Sequence, residues 1–218
     1  MNLTAVSAPK QIVAKHFMDS LTTARAADFS TARSVVDVGS GAGFPGLVLK
    51  IAFPHLRVTL LDAVRKRLCF VERVADALLL QDVYTVHARA EDAGRPPGRL
   101  SAGRELQAGG SSGAPVLREG FDIATARAVA RLNVLCEWTL PLVRVGGGVV
   151  ALKGPNVGPE VAEASPAITL LGGGHPEVIE FTLPGTDVGR SLVWIPKQRP
   201  TPRSLPRLPG TARKKPLS

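Results

Sequence analysis

The stretch Val35-Val36-Asp37-Val38-Gly39-Ser40-Gly41-Ala42-Gly43-Phe44-Pro45-Gly46 decides the fold of this chain. It begins as an apolar strand, ends in four glycines and leads into the mostly apolar run Leu47–Ala52, which is long enough for a short helix. Glycines at such a junction let the backbone turn sharply and approach a ligand, and a helix amino terminus presents unpaired N–H groups. The pattern therefore predicts a cradle for a nucleotide or nucleoside cofactor.

Outward from this stretch, strands alternate with helical patterns, which is typical of an α/β domain. The predicted helices are Ile12–Leu21, Pro45–Ala52, Arg65–Leu80 and Leu132–Leu142. The predicted strands are Ser34–Val38, Arg57–Leu61, Val83–His87, Phe121–Thr125, Val149–Lys153, and a terminal hairpin of Val178–Leu183 with Ser191–Pro196. We expect a Rossmann-like, seven-stranded, mostly parallel sheet that ends in an antiparallel hairpin.

Length and composition narrow the class of protein. The 218 residues, 44% of them hydrophobic, suffice for one sizeable domain with a real core. We find no secretory signal pattern and no apolar run long enough to cross a bilayer, so we expect a cytoplasmic protein without a membrane partner. Cys69 and Cys136 have no metal-binding spacing and are predicted to be buried free thiols in a reducing compartment. We expect no metal site, and a monomer.

The positive charge is concentrated at the carboxyl end. Residues 197–218 contain seven of the 27 basic residues and no acidic one, so the rest of the chain has 20 basic residues against 18 acidic. Prolines recur in this segment and are expected to keep it extended. Such a basic arm favours binding to nucleic-acid phosphates over a purely solubilising tail.

The glycine loop alone does not identify the cofactor. Gly41-x-Gly43-x-x-Gly46 satisfies the GxGxxG fingerprint of dinucleotide-binding proteins literally. Asp62 closes the second predicted strand, where a carboxylate accepts hydrogen bonds from ribose hydroxyls. Because nicotinamide dinucleotides and S-adenosylmethionine both contain a ribose, Asp62 fits either cofactor.

Three features favour S-adenosylmethionine and its Rossmann-like class I methyltransferase fold. Asp37 lies where it can reach a cationic amino group but would gain nothing beside a pyrophosphate. The cluster Ala90-Glu91-Asp92 supplies acceptors where an adenine amine would lie. The terminal hairpin is not the ending expected of a six-stranded dinucleotide-binding sheet. An NAD-binding oxidoreductase stays as the less favoured alternative.

Segments along nearly the whole chain match a known family in order: Asn2-Leu3-Thr4-Ala5-Val6, Lys15–Leu21, Asp37–Gly46, Arg89-Ala90-Glu91-Asp92, Thr125–Ala130, Ala151–Gly154, and Thr201-Pro202, Pro206-Arg207, Gly210 and Lys215-Pro216-Leu217. The chain resembles the small-subunit ribosomal RNA methyltransferase G family, also called glucose-inhibited division protein B. The resemblance implies S-adenosylmethionine-dependent methylation of guanine N7 in 16S rRNA, with that RNA or the small ribosomal subunit as partner.

The resemblance also implies a division of the chain. Residues 1–30 would be a remnant of the family's amino-terminal helical cap, which normally has a few dozen more residues. The methyltransferase domain would span residues 31–198, interrupted by a flexible Gly/Pro/Ser-rich insertion at 93–119 that is longer than usual, and residues 199–218 would form the basic tail. Because the cap is short, a catalytically silent, RNA-binding member of the fold is the second alternative.

The family's cofactor contacts fall here on Gly39, Phe44, Ala90, Glu91 and Arg127. The residue patterns add Asp37, Gly41 and Asp62 to the predicted cofactor site. Guanine N7 carries a free lone pair at neutral pH, so we expect no general base, and catalysis by alignment. The predicted substrate-orienting residues are Arg131 and Lys153. The predicted RNA contacts are Arg65, Lys66, Arg67, Lys197, Arg203, Arg207, Arg213, Lys214 and Lys215. His16 and Asp19 share a helix face, either as packing residues or as RNA-facing ones.

Overall fold

The computed structural model describes residues 8–96, 107–109, 117–127 and 129–217. The strands are β1 (Ser34–Val38), β2 (Arg57–Asp62), β3 (Val83–His87), β4 (Gln107–Gly109), β5 (Phe121–Arg127), β6 (Val143–Lys153), β7 (Glu177–Thr182) and β8 (Gly189–Pro196). The α-helices are α1 (Pro9–Ile12), α2 (Asp19–Leu21), α3 (Gly46–Ala52), α4 (Arg65–Ala77), α5 (Ala90–Ala93), α6 (Leu132–Thr139), α7 (Gly158–Leu170) and α8 (Thr211–Lys214).

The strands form one sheet in the order β4-β3-β2-β1-β5-β6-β8-β7. The five central strands, from β3 to β6, are parallel, whereas β8 runs antiparallel between β6 and β7. The predicted seven-stranded, mostly parallel sheet with its antiparallel hairpin is therefore confirmed. The eighth strand, β4, lies in the insertion for which no regular structure was predicted, and it pairs antiparallel with the edge of β3.

The start of one strand and the presence of one helix also differ from the sequence prediction. Strand β6 starts at Val143, six residues early, because the register shifts opposite Phe121 and lets the glycines at 146–148 stay in the strand. The prediction also missed α7, a 13-residue helix with Pro166 inside it and Pro159 in its first turn. Proline inside a helical pattern normally signals an end or a kink, which hid this helix from the sequence.

The amino-terminal helical segment is continuous rather than a single regular helix. A π-helical segment, Val13–Met18, joins α1 to α2, and a 3₁₀ turn, Thr22–Arg25, follows. We refer to residues 9–25 as the N-terminal cover. In the described part of the chain, no helix is both long enough and apolar enough to cross a membrane.

Both faces of the sheet are covered by a hydrophobic core. On one face, α3 and α4 pack Leu49 and Leu68 against Val35 and Leu60. On the other face, α6 and α7 pack with residues from the end of the chain, including Leu205 and Ala212. Burial on both faces leaves the carboxyl edge of the parallel strands as the place where loops meet.

Candidate active site

The glycine loop follows β1 at the point where the strand order reverses direction, between β1 and β5, which is where open α/β sheets form their ligand crevice. Gly39 has φ +73°, and a Cβ added there would lie 2.5 Å from Cγ1 of Val129. Its N–H donates to the Leu61 carbonyl at 2.8 Å, which ties the loop to β2. Gly39 is therefore a glycine for both backbone and packing reasons.

Asp37 holds the loop in place from below. Its side chain is fully buried; Oδ2 accepts the Gly46 N–H at 2.9 Å and Oδ1 accepts the Thr125 hydroxyl at 3.3 Å. Burial raises the pKa of Asp37 to about 6, against the lowering effect of the Gly46 hydrogen bond. The structure thus places Asp37 inside the fold, and the direct cofactor contact predicted for it is wrong in this arrangement. The carboxylate acts on the site through the loop.

The carboxylate of Asp62, at the end of β2, is held in one orientation by backbone N–H groups. Oδ2 accepts the Gly41 N–H at 3.0 Å and Oδ1 accepts the Val64 N–H at 2.8 Å, which fixes the carboxylate plane. Arg67 lies 3.5 Å from Oδ2. Gly41 contributes by orienting Asp62 through its N–H.

A first cavity of about 510 Å³ opens beside Asp62. Its walls come from the ends of β1, β2 and β3, from α5, and from residues remote in sequence; of the predicted cofactor residues it gathers Gly39, Asp62, Ala90 and Glu91. Phe44 and Arg127 do not line it. Trp138, Gly210 and Arg213 also line this first cavity, and sequence reasoning did not assign them there.

Glu91 connects the first cavity to the end of the chain. Its side chain is 4% exposed, and Oε1 accepts the Gly210 N–H at 2.9 Å. Among the described residues no donor reaches Oε2. One oxygen therefore holds the protein together while the other stays available to a donor such as an amine.

Residues 199–217, which we call the C-terminal strap, pack on the domain instead of extending from it. Arg207 forms hydrogen bonds of 2.6 to 3.1 Å through its Nε and Nη2 to both oxygens of Glu137, which is fully buried. Arg118 donates to the carbonyls of Gly94, Thr201, Pro202 and Leu205. The prediction of a wholly extended arm is wrong, because the strap also contains α8. Arg207, predicted to contact RNA, uses Nε and Nη2 on Glu137, so the RNA contact stays a prediction for the rest of its guanidinium.

Lys197, just before the strap, is also internal. Its side chain is buried, and Nζ donates to the carbonyls of Leu140 and Leu171, each at 2.9 Å, and to the Thr201 hydroxyl. Burial lowers the pKa of Lys197 to about 8, although Glu119 lies 3.6 Å away. The predicted phosphate contact of Lys197 is therefore wrong, because its three donors face the interior.

The other predicted RNA residues lie on the surface in two places. Arg65, Lys66 and Arg67 begin α4 with exposed side chains, and Arg65 lies 3.8 Å from Glu72. Arg203, Lys214 and Lys215 are exposed on the strap. Arg213 is exposed too, but its guanidinium lies 5.0 Å above the Trp138 ring and donates to the Val129 carbonyl. It therefore helps to build the wall of the first cavity.

Arg127 lies at the other end of the crevice, against the N-terminal cover. It donates to the Lys15 carbonyl at 3.2 Å and to Asp19 Oδ2 at 3.4 Å, and its guanidinium lies 5.3 Å above the Phe44 ring. The Phe44 ring also stacks on His16 at 5.1 Å. Burial, and next the Arg127 charge, lower the pKa of His16.

Arg190 of β8 joins the same cluster from a position 171 residues away. Its Nε donates to Asp19 Oδ1 at 3.0 Å, so the 4%-exposed Asp19 carboxylate bridges two arginines. Asp19 thus belongs to the packing between cover and core, one of the two roles that the sequence left open.

A second cavity of about 400 Å³ lies in this cluster, at the carboxyl ends of β5 and β6 and the start of β8. Its lining side chains include Lys15, Asp19, Arg127, Lys153 and Arg190. Lys153, predicted to orient the substrate, donates here to Glu160 and to the Ala130 carbonyl, at 2.6 and 2.7 Å. Arg131 is exposed and paired with Glu163, outside both cavities.

The described residues give no support to cysteine or metal chemistry. Cys136 is fully buried within α6, and burial raises the pKa of its thiol, as expected of a packing residue. Across the residues that the structure covers, we find no cluster of three or more His, Cys, Asp or Glu side chains able to hold a metal ion.

Comparison with known proteins gives consistent matches. A sequence profile of the family described as rRNA small subunit methyltransferase G matches residues 1–186. Proteins named ribosomal RNA small subunit methyltransferase G from Bacillus thuringiensis (strain Al Hakam) and Bacillus cereus (strain AH187) are 43% identical to this chain over 217 residues, which is 100% of the chain and 83% of each relative.

Solved structures share the fold at lower identity. A predicted O-methyltransferase from Agrobacterium tumefaciens superposes with a TM-score of 0.61 at 21% identity, covering 84% of this chain and 83% of that one. An S-adenosylmethionine-dependent O-methyltransferase from Thermotoga maritima gives 0.57 at 12% identity, covering 91% and 69%.

Proposed function

The chain belongs to the rRNA small subunit methyltransferase G family, and from that premise we propose that it transfers a methyl group from S-adenosylmethionine to N7 of a guanine in 16S rRNA. The observation that carries the proposal is the first cavity, in which two oriented carboxylates lie beside the glycine loop. The partner would be 16S rRNA or the small ribosomal subunit. We propose that the enzyme is a monomer and acts in the cytoplasm.

The residues of the first cavity fit an adenosyl cofactor. Asp62 has both oxygens positioned by backbone N–H groups, with lone pairs left for two ribose hydroxyls. Glu91 keeps Oε2 for an adenine amine. Trp138 Nε1 is a buried donor without an acceptor in the described structure, and its indole lines the same cavity. Such an unpaired buried donor is costly unless a ligand accepts from it.

The proposed chemistry needs alignment rather than proton transfer. When bound, S-adenosylmethionine supplies a methyl group on a positively charged sulfur. The lone pair of guanine N7 would accept that methyl group directly, so the residues of the site would only have to hold base and methyl donor in line. No proton moves, so no residue has to act as a base; His16, whose pKa is lowered, is not required to titrate.

The rim residues would then orient the guanine. Arginine and lysine donors recognise the O6 and N7 edge of guanine, but a donor on N7 itself would occupy the attacking lone pair. A productive rim therefore donates to O6 or to phosphate and leaves N7 free. Arg127 and Lys153 lie at the carboxyl ends of neighbouring strands, where they can serve this purpose.

Methyl transfer to unmodified small subunits tests the proposal. With labelled S-adenosylmethionine and subunits from a strain that lacks the modification, we expect label in 16S rRNA that digests to N7-methylguanine. Glu91→Gln should weaken cofactor binding by roughly tenfold to a hundredfold, because it removes a charged acceptor. The matched control, Glu180→Gln, changes an exposed carboxylate on β7 and should leave binding unchanged.

Two results would favour the alternatives. Tight S-adenosylmethionine binding and RNA binding without methyl transfer would indicate a catalytically silent RNA-binding protein. Calorimetric binding of NAD without binding of S-adenosylmethionine would indicate an oxidoreductase.

A further inference from the structure

We infer that the second cavity binds a phosphate group of the RNA strand that carries the target guanine. The inference rests on the proposed function, because it supplies the place at which that RNA is held. It assigns Arg190 and Lys15, neither of which was predicted to meet RNA, as phosphate-binding residues alongside Arg127 and Lys153.

The second cavity has an excess of positive charge. Four cationic side chains line the second cavity: Lys15, Arg127, Lys153 and Arg190. Asp19 is the carboxylate among the lining residues, and Glu160 neutralises Lys153 from behind. Two positive charges are therefore in excess. The side chains of Lys153, Arg127 and Arg190 are 10%, 19% and 25% exposed, so water screens this excess only partly.

Two arginines of the second cavity, Arg127 and Arg190, keep hydrogen-bond donors that no protein group uses in the described part of the chain. Arg190 uses Nε on Asp19 and Nη1 on the Gly189 carbonyl, and Arg127 uses Nη1 twice. In the described part of the molecule, Nη2 of each arginine has no acceptor. Asp19 thus orients two guanidinium groups and leaves a donor on each. A phosphate oxygen matches such oriented donors in charge and geometry.

The position of the second cavity relative to the first also suits a phosphate of the RNA strand. The second cavity lies on the β5–β6–β8 side of the reversal point, whereas the first cavity lies on the β1–β2–β3 side. Arg127 lines the second cavity next to this junction, and Phe44 of the glycine loop packs against its guanidinium. A base placed at this junction would reach the methyl donor from one side, while its phosphate entered the second cavity on the other.

The lining also favours a phosphate over a base inside the second cavity. Among the lining residues, His16 has the one aromatic ring, and one of its faces is already stacked on Phe44. A base needs flat apolar surface for stacking, whereas an anion needs donors and positive charge. The carboxylate of the cofactor's methionine is also an anion, so the test has to separate these two occupants.

The test measures RNA and cofactor separately. Arg190→Gln and Lys15→Gln are compared with wild type for binding of unmodified small subunits over a range of salt, for the KM of methyl transfer, and for S-adenosylmethionine affinity. We expect the KM for subunits to rise about three- to tenfold, the slope of log affinity against log salt to fall by about one, and cofactor affinity to stay constant. Arg190→Lys should restore the salt slope but not the full affinity.

The control is Arg57→Gln, which removes the same charge from an exposed residue at the opposite, amino-terminal edge of the sheet. If the two cavity variants behave like Arg57→Gln, the inference is wrong. It is equally wrong if they weaken S-adenosylmethionine binding and leave RNA binding intact, since the cofactor carboxylate then occupies the second cavity. Lys15→Gln leaves no carboxylate unpaired, so it keeps the test open if Arg190→Gln fails to fold. If the wild-type protein binds subunits without methylating them, the proposed function is wrong. The phosphate site in the second cavity is still tested in that case, because the salt slopes of the variants measure RNA binding and not methyl transfer.

Discussion

The two ends of the chain cross the same edge of the sheet and cover different cavities. The N-terminal cover contributes Lys15, His16 and Asp19 to the second cavity, and the C-terminal strap contributes Gly210 and Arg213 to the first. Their attachment differs. The strap places Leu205 and Ala212 in the hydrophobic core, whereas the cover leaves Val13, Phe17 and Met18 at least 37% exposed.

This difference in attachment predicts that the two segments open in different ways. A segment anchored by core burial and by a buried ion pair opens only with large parts of the domain, whereas one anchored at the rim can open locally. The first cavity thus has a permanent wall. The second cavity, which we propose for RNA, has a cover whose contacts at the cavity are made through Asp19 and the Phe44 ring. A large RNA needs access, while a small cofactor needs enclosure.

Arg207→Ala should have the largest effect on stability. It leaves the fully buried Glu137 without its cation, which costs about 3–5 kcal/mol. For a domain of this size we expect the melting temperature to fall by on the order of 10 °C, together with weaker S-adenosylmethionine binding. Thermal unfolding and calorimetry measure both quantities.

Lys214→Ala is the control for that prediction, because it removes an exposed charge from the same strap and should change stability by no more than about 0.5 kcal/mol. The double variant Glu137→Gln/Arg207→Ala should recover part of the loss. If Arg207→Ala weakened RNA binding alone, the strap would be the RNA arm that its charge predicts.

Gly39→Ala should affect the first cavity next most strongly. The substitution places a side chain at φ +73° and forces Val129 aside, so we expect S-adenosylmethionine affinity to fall about 10- to 100-fold. Gly185→Ala is a matched control, because Gly185 has the same φ in the β7–β8 turn with no atom near the added Cβ. Equal cofactor affinity in the two variants would show that the close approach to Val129 is unimportant.

Lys197 should give the strap side a distinct pH dependence. Its pKa is lowered from 10.5 to about 8 in the folded protein, so between these values the unfolded chain binds more protons. Its contribution to stability therefore rises as pH increases from about 8 to 10.5, by about 3 kcal/mol for a difference of that size. Urea unfolding across this range should show the gap between wild type and Lys197→Met widening with pH. Parallel curves would mean that Lys197 does not titrate in this window.

Sequence reasoning succeeded where the position of a residue in the sheet follows from local pattern. The glycine loop follows β1, Asp62 is the last residue of β2, and Glu91 lies four residues after β3, so the strand pattern alone placed them at one edge of the sheet. The Asp19–Arg190 pair spans 171 residues and the Arg207–Glu137 pair spans 70. No periodicity encodes such pairings, because they arise only when the sheet order brings the ends of the chain together. Charge composition also gave the wrong environment for Lys197, because the sequence alone does not distinguish a lysine in an exposed basic tail from a buried lysine.

Asp19→Asn should have the smallest global effect and the most local one. It removes the charge that two arginines share, but both arginines keep some contact with water, so we expect a loss of only about 1 kcal/mol. Hydrogen exchange should accelerate in residues 13–21 and stay slow in 205–214, with cofactor affinity unchanged. Asp28→Asn, an exposed carboxylate that bonds to Ser30 and Thr31, is the control and should leave exchange in 13–21 as it is. If Asp19→Asn instead destabilised the whole domain as much as Arg207→Ala, both ends of the chain would be anchored alike, and the contrast between a fixed wall and an opening cover would not hold.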